Sequence, residues 1–119
     1  MSGRADATDP PGSWLLHDDQ VLASLEIASS RAARRKGLIG RDGFDAALLL
    51  PGCRWVHTIG MRFPIDVAYC DRQGRVLRIT TLVPNRIDRP CLGARQAVEA
   101  AAGAFTGWSV HIGDVLEFR

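Results

Sequence analysis

IDVAYCDRQGRVLRITTLV, residues 65 to 83, is the stretch whose reading decides the fold. Ile65, Val67 and Tyr69 alternate with Asp66, Ala68 and Cys70, a period of two that sends successive side chains to opposite faces of a strand. DRQG, residues 71 to 74, carries the residue types that reverse a chain tightly, with Gly74 free to take a positive φ. RVLRITTLV then supplies a partner run rich in branched side chains. The stretch predicts an antiparallel hairpin over 65–83.

Working outward, ALLLPGC upstream predicts a short apolar strand stopped by Pro51 and Gly52. WLLHDDQVLASLEIA predicts two short strands joined at His17 to Gln20, because Leu22, Ser24, Glu26 and Ala28 alternate against Val21, Ala23, Leu25 and Ile27. Between these units, SSRAARRKGLIGR has Ser29 or Ser30 as N-cap and Gly37 and Gly40 as stops, the grammar of a two-turn helix.

Downstream, PNRIDRPCLG is a loop with two prolines. ARQAVEAAAG is open between helix, which its Ala and Glu favour, and strand, which its short length permits. WSVHIGDVLEF predicts two short strands around Gly113 and Asp114. The whole pattern is mainly β (β-rich α+β): a small barrel or sandwich of short, mostly antiparallel strands with one or two short helices. Residues 1–12, with Pro10, Pro11, Gly3 and Gly12 and little apolar surface, are expected to be a disordered tail before a single domain over 13–119.

At 119 residues, with 46% hydrophobic and 24% charged, the chain has the bulk character of an ordinary globular domain. No run reaches the ~18 apolar residues of a membrane span, so membrane insertion is not expected. Cys53, Cys70 and Cys91 are odd in number and irregularly spaced, and the N-terminus lacks the pattern of a secretory signal, which points to a reduced, cytoplasmic setting. A net charge of +2, with no aromatics interleaved in a basic strand, does not point to nucleic acid. Of 15 basic residues only Lys36 is a lysine, and Arg31, Arg34 and Arg35 fall on one helix face, which suits either solvent or an anionic partner.

CRWVHTIGMRFPIDV, residues 53 to 67, places His57, Thr58, Arg62 and Asp66 inside an otherwise apolar run. Asp66 lies between Ile65 and Val67 and must find a cation or N–H donors, since a buried unpaired carboxylate costs several kcal/mol. Arg62 is the near candidate, with Pro64 bending the chain between them. His57 could serve as a base oriented by Asp66, but no nucleophile elbow, Walker loop or paired-glutamate motif accompanies it. Cys53 and His57 form a C-x-x-x-H pair about 13 Å apart if extended, so neither a metal site nor a cofactor is expected.

GLIGRDGF, CRWVHTIGMRFPIDVAYCDRQGRVL, LVPNR, AVEAAAG and HIGDVLEF, in this order over residues 21–119, resemble the DUF192 family, a widespread prokaryotic domain of unknown function. The most specific part is Pro64, Ile65 and Asp66 with the D-x-x-G turn that follows, supported by Gly113 and Asp114. The resemblance implies a small β-rich barrel with minor helical decoration, and hence a strand over 95–102. Where this chain reads HTIGM, many relatives carry Trp, Met, Lys, Asn and Thr, so His57 and Thr58 replace two bulky residues.

The expected function is non-enzymatic: binding of a small anionic ligand or a protein partner through the 57–66 stretch. Arg62 would be the bidentate donor, His57 and Thr58 would hydrogen-bond the ligand, and Asp66 would hold Arg62, with Arg86 and Glu99 as outer residues. The alternatives are a hydrolase-like enzyme using His57 and Asp66 as an acid–base pair, and a structural or assembly module that uses the 31–35 arginine face.

Overall fold

The hairpin forms as its alternation requires, with β4 (Ile65–Cys70) pairing antiparallel to β5 (Val76–Leu82). The structure is a computed structural model that describes residues 13–119; the tail expected over 1–12 lies outside them. Ahead of this hairpin come β1 (Trp14–His17), β2 (Gln20–Ile27), the helix α1 (Arg31–Lys36) and β3 (Ala47–Pro51). After it come β6 (Gln96–Ala101), a one-turn helix α2 (Ala104–Gly107) and β7 (Leu116–Phe118).

The opening hairpin turns at Asp18 and Asp19, both with positive φ, the left-handed conformation that short polar residues tolerate. Helix α1 is capped as its sequence predicts: the Ser30 hydroxyl accepts from the Ala33 amide at 3.0 Å, and the Gly37 amide donates to the Ala33 carbonyl. It lies in the crossover that the parallel pairing of β2 with β3 demands.

The strands form one mixed sheet in the order β5-β4-β6-β3-β2-β1-β7. The expected barrel is a correction: β5 and β7 are the two edges and do not pair along their lengths. They approach each other at the isolated bridge Arg75 to Val115, flanked by Val76 N–H to Asp114 O at 2.8 Å and Leu116 N–H to Gly74 O at 2.9 Å. The 116–118 segment is too short to zip the seam. Gly74 permits this approach, because a Cβ there would stand 2.2 Å from the Leu116 carbonyl oxygen.

Residues 96–101 are a strand, as the family resemblance implied. β6 sits between β3 and β4 with both faces covered, and its alanines let the flanking layers close over it. Tertiary burial therefore overrides the helical preference of Ala and Glu. The WSVHIGDVLEF segment is a second correction: one of its two expected strands forms, β7, while the residues before it follow α2 through turns, with Ser109 at φ 57.

Parity along the strands sorts the interior into two layers. Ala68, Cys70, Val98 and Ala100 join residues from all seven strands, with Phe105 of α2, on one face. Ile65, Val67, Tyr69, Leu48 and Ala97 pack on the other, beneath Leu38, Val56 and Met61. Burial of such side chains at roughly 25 cal/mol per Å2 is what holds the layers together. This division decides which polar residues can meet.

Candidate functional site

Asp66 on β4 and Glu99 on the adjacent β6 are offset by one register position and therefore lie on opposite faces: Asp66 opposes Ala100 and Thr81, whereas Glu99 opposes Val67 and Leu48. Asp66 is buried and fully engaged. It accepts from the Thr81 hydroxyl at 2.6 Å, from the Gly103 amide at 2.9 Å and more distantly from the Phe105 amide at 3.4 Å. It thereby ties α2 to the sheet, satisfying donors at a helix start that has no side-chain cap of its own.

The expected Arg62–Asp66 pair does not form. Arg62 is exposed and donates to Asp42 at 2.7 Å, because Asp66 points into the layer that holds α2. Thr58 is fully buried and also structural. Its hydroxyl donates to the Val83 carbonyl at 2.7 Å and accepts from the Arg86 amide at 2.9 Å, stitching the 57–61 turn to the 83–88 loop. Arg86 enters this stitch through its backbone, and its guanidinium donates to the neighbouring Asn85 carbonyl at 3.3 Å. The intended ligand set of His57, Thr58, Arg62 and Asp66 is thus dispersed, and His57 is not oriented by Asp66: its Nδ1 accepts from the Ile59 amide at 3.2 Å.

Thr58 and Arg86 meet only as part of this stitch; of the six expected residues, two come together at a cavity. His57 and Glu99 line a cavity of about 210 Å3 between the end of α1 and the 53–61 loop. Leu38, Leu50, Val56 and Met61 make its apolar wall, and Trp55 stands beside His57 with ring centroids 6.4 Å apart. Arg34, Arg35 and Lys36 bring the last turn of α1 to it. Arg31, which shares a sequence face with Arg34 and Arg35, is not part of the lining.

Glu99 is the chemically unusual member. It is 4% exposed, and its Oε1 has no hydrogen-bond partner among the described residues. Burial pushes its carboxyl up to about 7, with the positive charge of Arg41 pulling the other way. Arg41 does not neutralise it, being spent on a two-pronged pair with Glu26 at 2.9 and 3.1 Å. Gly37 makes room for the carboxylate: at φ 52 and ψ −127, a Cβ there would lie 3.0 Å from Glu99 Oε1.

Cys53 lines the same cavity, but burial raises its thiol pKa and the thiol donates to the Trp55 carbonyl at 3.2 Å. Cys53, His57 and Glu99 do not assemble a metal site; among the described residues no group of three ligating side chains does. Sequence reasoning placed Glu99 at the margin. The available signal was the parity of AVEAA, in which a carboxylate occupies a strand apolar on both faces.

A second polar cluster holds the neighbouring loop. Asp88 accepts from the Tyr69 hydroxyl at 2.7 Å and from Arg78 at 3.0 Å, while the Arg78 guanidinium stacks 4.6 Å from the Tyr69 ring centroid. Burial and Asp88 keep the Tyr69 phenol far above its ordinary range. This cluster anchors the 84–91 loop and engages both oxygens of the Asp88 carboxylate, while the buried Nε of Arg78 has no partner among the described residues.

A small, mainly β domain with one orphaned carboxylate at the floor of a basic-rimmed pocket is the class that fold and site define. The chain belongs to the DUF192 family, described as an uncharacterized ACR, which matches residues 15–118. It is 36% identical over 64 residues to the UPF0127 protein PF1050 of Pyrococcus furiosus, a match that spans 54% of this chain and 55% of that protein, little more than half its length. Its fold is similar to that of a protein of unknown function from Novosphingobium aromaticivorans, with a TM-score of 0.74 at 20% identity over 93% of this chain and 91% of that one. A Sinorhizobium meliloti chain named as a candidate transcription regulator is similar at a TM-score of 0.73 and 21% identity, over 89% and 91%. Among the described residues no helix is long and apolar enough to cross a membrane.

Proposed function

We propose that this domain is a binding module that holds a small ligand between α1 and the 53–61 loop, with Glu99 as its polar anchor. The observation that carries the reading is the unpartnered Oε1 of Glu99, buried in the pocket lining. An orphaned carboxylate costs a fold several kcal/mol. Retaining it is reasonable where a ligand supplies the missing donor. The site is therefore centred on Glu99, His57 and the α1 terminus rather than on the 57–66 stretch as a whole, where Thr58 and Asp66 serve the fold.

A hydrolase reading finds little support, since His57 and Asp66 bond to different partners in different layers. Three free cysteines among the described residues favour a reducing compartment such as the cytoplasm. The test is the native mass of gently purified protein, beside that of Glu99→Gln, together with thermal-shift screening against a metabolite set. A retained or stabilising small molecule that the variant loses is the expected result. A molecule bound equally by Glu99→Gln would move the site elsewhere and refute this assignment.

A further inference from the structure

The pocket's two ends differ in charge, and that difference restricts what can occupy it. At the floor, Glu99 is buried and lacks a donor, and the one arginine whose charge reaches it, Arg41, is held by Glu26. At the rim, Arg34, Arg35 and Lys36 are exposed, and none forms an ion pair among the described residues. Between the ends lies apolar wall from Leu38, Val56 and Met61.

A simple cation would satisfy Glu99 but must sit beneath three positive charges. A simple anion would satisfy the rim but face a buried carboxylate and leave it unpaired. A neutral alcohol could donate to Glu99 yet leave both charges uncompensated. A molecule with a cationic donor at one end, a short apolar middle and an anion at the other complements every part. At about 210 Å3 the cavity is below the ~300–1,000 Å3 of drug-sized sites, so the occupant is metabolite-sized.

We propose, resting on the binding-module reading above, that the pocket takes a short amino acid with separated charges, its ammonium on Glu99 and its carboxylate on Arg34 and Arg35. Guanidinium groups suit the carboxylate because they can bind it through two parallel N–H donors. Gly37 is a positioning residue in this scheme, since its missing side chain leaves the floor open.

The test uses 5-aminopentanoate as probe, with pentanoate and pentylamine as its two halves, followed by amide and indole chemical shifts of the whole chain. 5-Aminopentanoate should move the Gly37 amide and the Trp55 indole while leaving the Trp14 indole in place. Each half-molecule should bind roughly tenfold to a hundredfold more weakly, the worth of one charge-assisted contact. Glu99→Gln and the pair Arg34→Ala with Arg35→Ala should weaken the probe similarly, their spectra reporting that the fold is intact.

Pentanoate binding as tightly as the amino acid, or undiminished affinity in Glu99→Gln, would overturn the proposal. So would failure of 3-aminopropanoate, 4-aminobutanoate, 5-aminopentanoate and 6-aminohexanoate alike. In that last case a different molecule retained in the native mass and lost in Glu99→Gln would preserve the pocket while rejecting the amino acid; no such molecule would remove both.

Discussion

Glu99, Asp66 and Thr58 are three buried polar residues in three different situations, and the hydrogen-bond partners of each decide its role. Thr58 and Asp66 are saturated and neither lines the pocket, so removing them should cost stability. Thr58→Val strands the Val83 carbonyl and the Arg86 amide and should lower stability by about 1–3 kcal/mol in denaturant titration. Asp66→Ala leaves the Gly103 amide and Thr81 hydroxyl without their acceptor and should cost about 3 kcal/mol, with amide exchange faster across α2. Glu99 behaves oppositely. Its carboxyl is raised from 4.5 to about 7, so between those values the folded state binds more protons than the unfolded one. Its contribution to stability is therefore greatest below pH 4.5 and is lost as pH rises through 7, by about 3 kcal/mol. Subtracting the pH profile of Glu99→Gln from that of the parent should isolate this slope. Sequence proximity misled at this scale for a plain reason: Arg62 and Asp66 are four residues apart, but strand parity turns Asp66 toward α2 and leaves Arg62 outside with Asp42.

At the level of elements, local grammar was legible where it was self-contained. The 65–83 hairpin, the Asp18–Asp19 turn and the Ser30 to Gly37 helix are each specified by residues within a few positions. β6 was not, because alanines carry no strand signal until β3 and β4 flank them. α2 was missed for a related reason: its first donors are satisfied by Asp66, far away in sequence. Gly37 and Gly74 join elements by lacking a side chain. Gly37→Ala forces an L residue to φ 52 and pushes a methyl to 3.0 Å from Glu99 Oε1, so it should lower the melting temperature and also diminish ligand retention. Gly74→Ala collides with the Leu116 backbone and should part β7 from the start of β5 while β7 stays paired with β1, seen as faster exchange of the Val76 and Leu116 amides, with the pocket on the other layer unaltered.

Across the whole molecule, the two-layer interior separates structural from candidate functional polarity. The layer shared by all seven strands contains Asp66, bonded to completion; the layer under α1 and the 53–61 loop contains Glu99 with an oxygen to spare. The pocket draws on residues 34–39, 50–61 and 99, three segments that meet only after β3 has crossed beside β2 and β6 has inserted between β3 and β4. That assembly is why the sequence could nominate His57 and Glu99 singly but could not bring them together. The open sheet follows similarly from global geometry, since β7 is too short to close against β5. The central claim, that Glu99 is a buried acid awaiting a donor, is tested most directly by following its side-chain carboxyl carbon in an NMR pH titration. A midpoint near 7 in the empty protein, moving downward when an ammonium-bearing ligand binds, is the expected result. A midpoint near the ordinary 4.5 would mean the carboxylate is already solvated or paired, and would contradict the account.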